Sequence, residues 1–305
     1  MGQFKNILVC LDLTDMDEVL IKYANHLAET FKPDKITFIH VMEAYDIPDE
    51  IAAAFPDLDK PLDEIVGEEI DEKIEEFFDK KEGTDIEVVL ESGTTTEKII
   101  HFSRKKKIDL TLMGKKVGYS GAGGVTRKIV GLIPSTVLLV SETSPHKTEN
   151  IMVRMDFTKT SAIAFRMGQA VAKDTGAELT CHHVYKLPLN YFPQNSPNKI
   201  KKLKKQLGEW VEKEYHKFLK KEKLDLGVPC TYSMDLHGEE AQILYNQAIR
   251  KGVDMLLIGT RIKSQLANII LDSTSEKLTG ADKNIPVMVV KDRKQSIGFL
   301  KALFD

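Results

Sequence analysis

Two tandem, doubly wound α/β domains, each a five-stranded and mainly parallel sheet with helices on both faces, are the fold this sequence predicts. Three observations predict it. First, the chain repeats itself. Ile7-Leu8-Val9-Cys10-Leu11-Asp12 returns as Ile151-Met152-Val153-Arg154-Met155-Asp156, and Ile36-Thr37-Phe38-Ile39-His40-Val41 returns as Leu179-Thr180-Cys181-His182-His183-Val184. Asp109-Leu110-Thr111-Leu112-Met113-Gly114 returns as Asp254-Met255-Leu256-Leu257-Ile258-Gly259, and Val137-Leu138-Leu139-Val140 as Val287-Met288-Val289-Val290. Second, the copies lie about 145 residues apart, the size of one ordinary domain and far beyond a solenoid repeat of about 20–50. Third, short runs apolar on both faces alternate with segments whose apolar residues recur at helical spacing, the pattern of parallel strands covered by helices.

In copy one, Asn6–Leu11 is a strand, followed by a polar turn in which Thr14, Asp15 and Asp17 are candidate helix N-caps. Leu20, Tyr23, Ala24, Leu27, Ala28 and Phe31 then fall on one helical stripe. Residues 36–41 form the second strand. An acidic, proline-containing loop (43–61) leads to a helix over 62–80, striped by Val66, Ile70, Ile74 and Phe77. A third strand spans 86–90. Gly93 and Thr94, Thr95 and Thr96 open the next helix, and strands at 110–113 and 136–140 complete the copy. Copy two repeats the order: strand 151–155, helix 160–174, strand 179–184, a long helix 197–222, strand 228–234, helix 238–251, and strands 254–258 and 286–290. The polar stretch 141–148, with Pro145 inside, is the linker. Domains are therefore expected at 1–143 and 148–292, followed by an apolar tail, 293–305, that docks on the protein or on a partner.

The 305 residues carry a formal charge of −3, which leaves no overall electrostatic footprint for nucleic acid. The three cysteines, Cys10, Cys181 and Cys230, are widely spaced and lack CxxC motifs, as expected of reduced thiols in a cytosolic protein. No leader pattern precedes the first strand, and no apolar run approaches the ~20 residues that span a bilayer. A cytoplasmic protein with no membrane and no nucleic-acid partner is the expectation.

In open parallel sheets ligands bind beyond the carboxyl ends of the strands, where strand order reverses. Asp12 closes the first strand there and Val41 the second. After the fourth strand, Gly114, Gly118, Gly121, Gly123 and Gly124 precede a helical run; glycine admits close backbone approach to a phosphate, and a helix start offers N–H donors. Asp12 can accept hydrogen bonds from ribose hydroxyls or an adenine amine. A flexible loop with a helix-capping aspartate accounts for the same residues.

These residues carry a resemblance. The strand-ending Asp12, the ending His40-Val41, the 109–114 strand with its glycine loop, and the closing Pro134-Ser135-Thr136-Val137-Leu138-Leu139-Val140 resemble the universal stress protein family, a doubly wound, nucleotide-binding-like fold. The resemblance covers essentially the whole chain and implies a tandem member. ATP-binding members carry Gly-x2-Gly-x9-Gly-Ser/Thr after the fourth strand. Copy two aligns Gly259, Ile262, Asp272 and Ser273 with that frame, so only the first glycine and the final serine remain. Ile262 and Asp272 place bulk and negative charge where phosphates need bare backbone. Copy one keeps Gly114 in a loop about four residues shorter than the family's frame, with Gly124 in place of the hydroxyl residue. The resemblance implies that Asp12 and Val41 hold base and ribose in copy one, that Asp156 and Val184 are their counterparts, and that ATP or AMP is the cofactor of domain 1, if any. It also implies that single-domain members pair through their last strands; here 137–140 and 287–290 would pair within one chain, with a homodimer a further possibility.

Other signals weigh less. Cys181, His183, Cys230 and His237 match no familiar zinc spacing, and packed strand residues are the simpler account. Lysine runs at 199–205 and 104–107 fit solvated helix faces. No Gly-x-Ser-x-Gly, P-loop or HExxH motif is present. A stress-response binding or regulatory protein without turnover is the leading expectation; a slow ATPase using the first glycine loop and a scaffold with vestigial pockets are the alternatives.

Overall fold

Strands that are apolar on both faces need helices on both sides, and the chain builds them in order. The computed structural model describes residues 4–42, 62–79, 82–115, 124–186, 197–260 and 284–292. The first half runs β1 (Asn6–Leu11), α1 (Met16–Phe31), β2 (Lys35–Met42), α2 (Leu62–Phe77), β3 (Asp85–Ser92), α3 (Thr95–Lys105), β4 (Leu110–Gly114), α4 (Gly124–Leu132) and β5 (Thr136–Val140). The second runs β6 (Asn150–Arg154), α5 (Lys159–Thr175), β7 (Glu178–Lys186), α6 (Pro197–Glu222), β8 (Cys230–Asp235), α7 (Glu240–Arg250), β9 (Met255–Gly259) and β10 (Val287–Val290).

The element order follows the sequence expectation, with shifts of one to three residues at most ends. One shift has a visible cause. The helix expected to reach residue 80 stops at Phe77, where Asn25 of α1 donates to the Phe77 carbonyl (2.9 Å) and accepts from the Asp79 amide (3.0 Å), capturing the chain as it leaves the helix. The tail 293–305 and most of the glycine loop lie outside the described residues.

The two five-stranded sheets are halves of one ten-stranded sheet, in the order β3-β2-β1-β4-β5-β10-β9-β6-β7-β8. Every neighbouring pair within a half is parallel. At the seam β5 and β10 run antiparallel, with Val137 opposite Val289, Leu138 opposite Met288 and Leu139 opposite Val287. Strand order reverses beside β1 in the first half and beside β6 in the second. These are the two switch points of a doubly wound sheet.

Alternation along each strand sends side chains into two layers. One core packs under α1, α2, α5 and α6 and contains Leu138 and Val140 with Met288 and Val290. The other packs under α3, α4 and α7 and contains Val137 and Leu139 with Val287 and Val289. Both layers therefore run through the seam without a break. A further repeated device anchors the first strand of each half. The Asp109 carboxylate accepts from the Lys5 and Asn6 amides (3.1 and 3.0 Å), and Asp254 accepts from those of Glu149 and Asn150 (3.0 and 3.1 Å). Each aspartate satisfies amides that the ladder leaves open at the strand start. No helix among the described residues is long and apolar enough to cross a membrane.

Candidate functional site

At each switch point the chain leaves the first strand through the same tight turn. Leu13 (φ 58°) and Phe157 (φ 56°) adopt the left-handed conformation, a cost of about 1–3 kcal/mol for a residue with a Cβ. The turn is held by the aspartate before it: Thr14 donates its hydroxyl to Asp12 Oδ1, and Thr158 donates its hydroxyl to Asp156 Oδ1. Asp156 also accepts from the Thr158 amide (3.1 Å). Both carboxylates thus have local structural work, and Asp12 remains exposed.

The expected N-caps are corrected in detail. Asp15 sits at the cap position of α1 without a side-chain cap bond. Asp17 instead turns back to accept from the Asp12 amide (2.9 Å), and Thr14 accepts from Met16 (3.3 Å). In the second half Thr158 and Ser161 form a reciprocal capping box.

A histidine pair absent from the expected site residues completes the turn. His40 Nδ1 lies 3.1 Å from the Leu11 carbonyl and His183 Nδ1 lies 2.6 Å from that of Met155. Donation from each ring fixes the residue just before the aspartate. The signal available in the sequence was the repetition of a histidine at the second strand's end.

In the first half a cleft of about 280 Å³ opens at this point. Cys10, Leu11 and Asp12 line it from β1, Met16 and Leu20 from α1, Thr95 and Ile99 from α3, Met113 and Gly114 from β4, and Val125, Thr126 and Ile129 from α4. The volume falls just below the usual range for small-molecule sites, about 300–1,000 Å³. Burial pushes the Cys10 thiol up to about 12, so it is no nucleophile at neutral pH. Met16 lies over Gly114: a Cβ there would fall 2.6 Å from Met16 Cγ. Lys115, which follows Gly114, turns away from the cleft and donates to the Ile285 carbonyl (3.3 Å).

The second half differs at two lining positions. Arg154 stands where the first half has Cys10, and Glu240 where it has Thr95. Their side chains pair at 2.8 Å, through both Nε and a terminal nitrogen of the guanidinium, with little solvent access. Gly259 has a packing reason: a Cβ there would lie 2.2 Å from the Thr160 carbonyl oxygen, so β9 reaches the start of α5 only without a side chain.

The remaining expected residues scatter. Val41 is buried in the core under α3, and Val184 packs partly against the same layer, so neither side chain is among those lining the cleft. Gly124 opens α4 with nothing near its missing Cβ. Gly118, Gly121, Gly123 and Ser273, with Ile262 and Asp272, lie outside the described residues. Cys181 and Cys230 are ladder partners, and burial pushes the Cys181 thiol up to about 12 and the Cys230 thiol upward as well. His183 stacks on Phe157 at 4.3 Å. Among the described residues no cluster of three or more such groups is placed to hold a metal ion.

A doubled α/β sheet with a cleft at the switch point of its first half has a tandem, nucleotide-binding-like fold. The Universal stress protein family model matches the chain twice, over residues 3–141 and 147–291, and the chain belongs to that family. Among solved structures it is similar to a universal stress protein from Archaeoglobus fulgidus DSM 4304, with 19% identity, 95% of this chain and 99% of that chain covered, and a TM-score of 0.63. It is also similar to a functionally unknown protein from Pseudomonas aeruginosa PAO1, with 12% identity, coverage of 98% and 96%, and a TM-score of 0.64. At these identities the likeness speaks for the fold alone. Comparison with curated proteins gave no match.

Proposed function

We propose that this tandem universal stress protein is a stress-linked regulatory protein of the cytoplasm that takes an adenine nucleotide, ATP or AMP, in its first half. The second half serves as the pairing partner, with its own mouth closed. On this reading the domains fall at 1–143 and 148–292, and the halves work as an internal dimer joined through β5 and β10. One observation carries the reading: Cys10 and Thr95 line an open cleft in the first half, and the second half places the paired side chains of Arg154 and Glu240 at the equivalent positions. Asp12, Thr95 and Thr126 line the cleft with polar groups, and Val125 and Thr126 bring the N-terminal turn of α4, an end that favours negative charge, to its wall. The reading is of binding without turnover: the lining described contains no histidine or cation placed to activate water.

Calorimetric titration with ATP and AMP tests this. One saturable site is expected, lost in Val125→Trp, which puts an indole at the cleft wall, and kept in a double variant, Arg154→Cys with Glu240→Thr, which changes only the second half. The double change is chosen because removing one member of a buried ion pair costs about 3–5 kcal/mol. A flat titration at millimolar nucleotide would remove the reading. It would favour an interaction scaffold, for which Met16 lying over Gly114 is the supporting observation.

A further inference from the structure

The seam buries a basic side chain whose charged form the core does not accommodate. Lys291 follows β10 directly and is buried, with 6% of its surface exposed. Its ammonium group has three donors. The acceptor seen is the Ile133 carbonyl of the first half, at 2.7 Å across the seam. At the other end Lys115 of the first half reaches the Ile285 carbonyl of the second. Each half thus sends one lysine over the seam to the other's backbone.

We propose that Lys291 makes the pairing of the two halves pH-responsive, its protonated form loosening the β5–β10 seam and its neutral form closing it. Among the described residues, the elements around it supply no counter-charge. By position, Ser135 at the start of β5 and Thr260 after β9 face this end of the seam, and the hydroxyl of Ser135 is engaged by Thr111 at 2.7 Å and Ser103 at 3.4 Å. From the end of α4 comes the Ile133 carbonyl, which is neutral. Asp292, next in the chain, does not hold the amine: burial alone acts on it, pushing its pKa down to about 7. A neutral amine donates one hydrogen bond to Ile133 and leaves no charge buried. An ammonium leaves a charge and two donors in an apolar layer.

The direction follows from linkage. When the seam opens, Lys291 regains the ordinary lysine value of 10.5 and binds a proton that the closed form refuses. The closed form is therefore favoured toward pH 10 and loses ground as pH falls toward 7, below which both forms are protonated and the loss levels off. With those two values, opening becomes about fifty-fold more frequent between pH 9 and pH 7.

Hydrogen exchange of the full chain, corrected for the intrinsic pH dependence, measures this at the amides of 137–139 and 287–289. Wild-type protection there is expected to fall about fifty-fold from pH 9 to pH 7, while Lys291→Met holds its protection constant. Equal wild-type protection at both pH values overturns the proposal, as does the full dependence persisting in Lys291→Met. If that variant does not fold, a 13C titration of the Lys291 side chain in the wild type decides: a midpoint near 7 supports the proposal and one near 10.5 overturns it. The inference rests on the paired halves described above. Amides unprotected at every pH would refute the pairing itself, whereas protection equal at both pH values refutes only the lysine's role.

Discussion

Leu138→Ala lowers the stability of the whole chain by about 2–5 kcal/mol, the range for truncating a buried leucine, and the loss registers in both halves. Leu138 is fully buried and stands opposite Met288 across the antiparallel ladder. Its core layer also contains Ile151, Val153 and Phe165 of the second half, so the cavity opens in packing that the halves share. The chain's one tryptophan, Trp210, lies on α6 in the second half. Its fluorescence therefore reports a half that does not carry the substitution. In urea, the Trp210 midpoint and the circular-dichroism midpoint should fall together, as a single cooperative transition requires. A Trp210 transition left at its wild-type midpoint would mean that the halves unfold separately.

Acid destabilises the second half through His182, and His182→Leu removes most of that sensitivity. The Thr231 hydroxyl points to the Cys181 carbonyl (3.4 Å), so its oxygen accepts from His182 Nδ1–H at 2.7 Å. Nε2 is then a bare acceptor, buried with no hydrogen-bond partner among the described residues. Burial first, and then the charges of His183 and Lys251, push the ring's pKa down from 6.5 to about 4. The unfolded chain takes up a proton near pH 6.5 while the folded chain refuses it until about 4, so stability falls across that window and levels off below it. The full loss is about 3 kcal/mol. Urea midpoints at pH 7 and pH 4.5 should separate wild type from variant by most of that amount. Ile39 holds the equivalent place in the first half, a buried apolar side chain with nothing to titrate. Equal acid losses in wild type and variant would contradict the assignment.

Repetition made the strands and helices readable, because each element appeared twice in the same order and apolar runs of strand length have few other uses. The two aspartates at the mouths were readable for the same reason, although their bonds to Thr14 and Thr158 were not. Side-chain identity did not announce that Arg154 and Glu240 would meet, since 86 positions separate them in the chain. Gly259 looked like a phosphate-loop glycine and is required instead by the Thr160 carbonyl, a contact set by helix packing rather than by local sequence. Val41 looked like a ligand contact because it ends a strand, but the alternation of β2 turns it into the core under α3. His40 and His183 were passed over because a histidine on a strand has many bland uses, and only the carbonyl geometry reveals their shared task.

The two halves form one continuous sheet with one pair of shared core layers. Insertion of a protease site between Pro145 and Lys147, cleavage, and sedimentation of the nicked protein test it most directly. One particle of the full mass is the expected result, because the seam and both layers hold the halves without the connecting peptide. Two folded halves sedimenting separately as soluble monomers would contradict it.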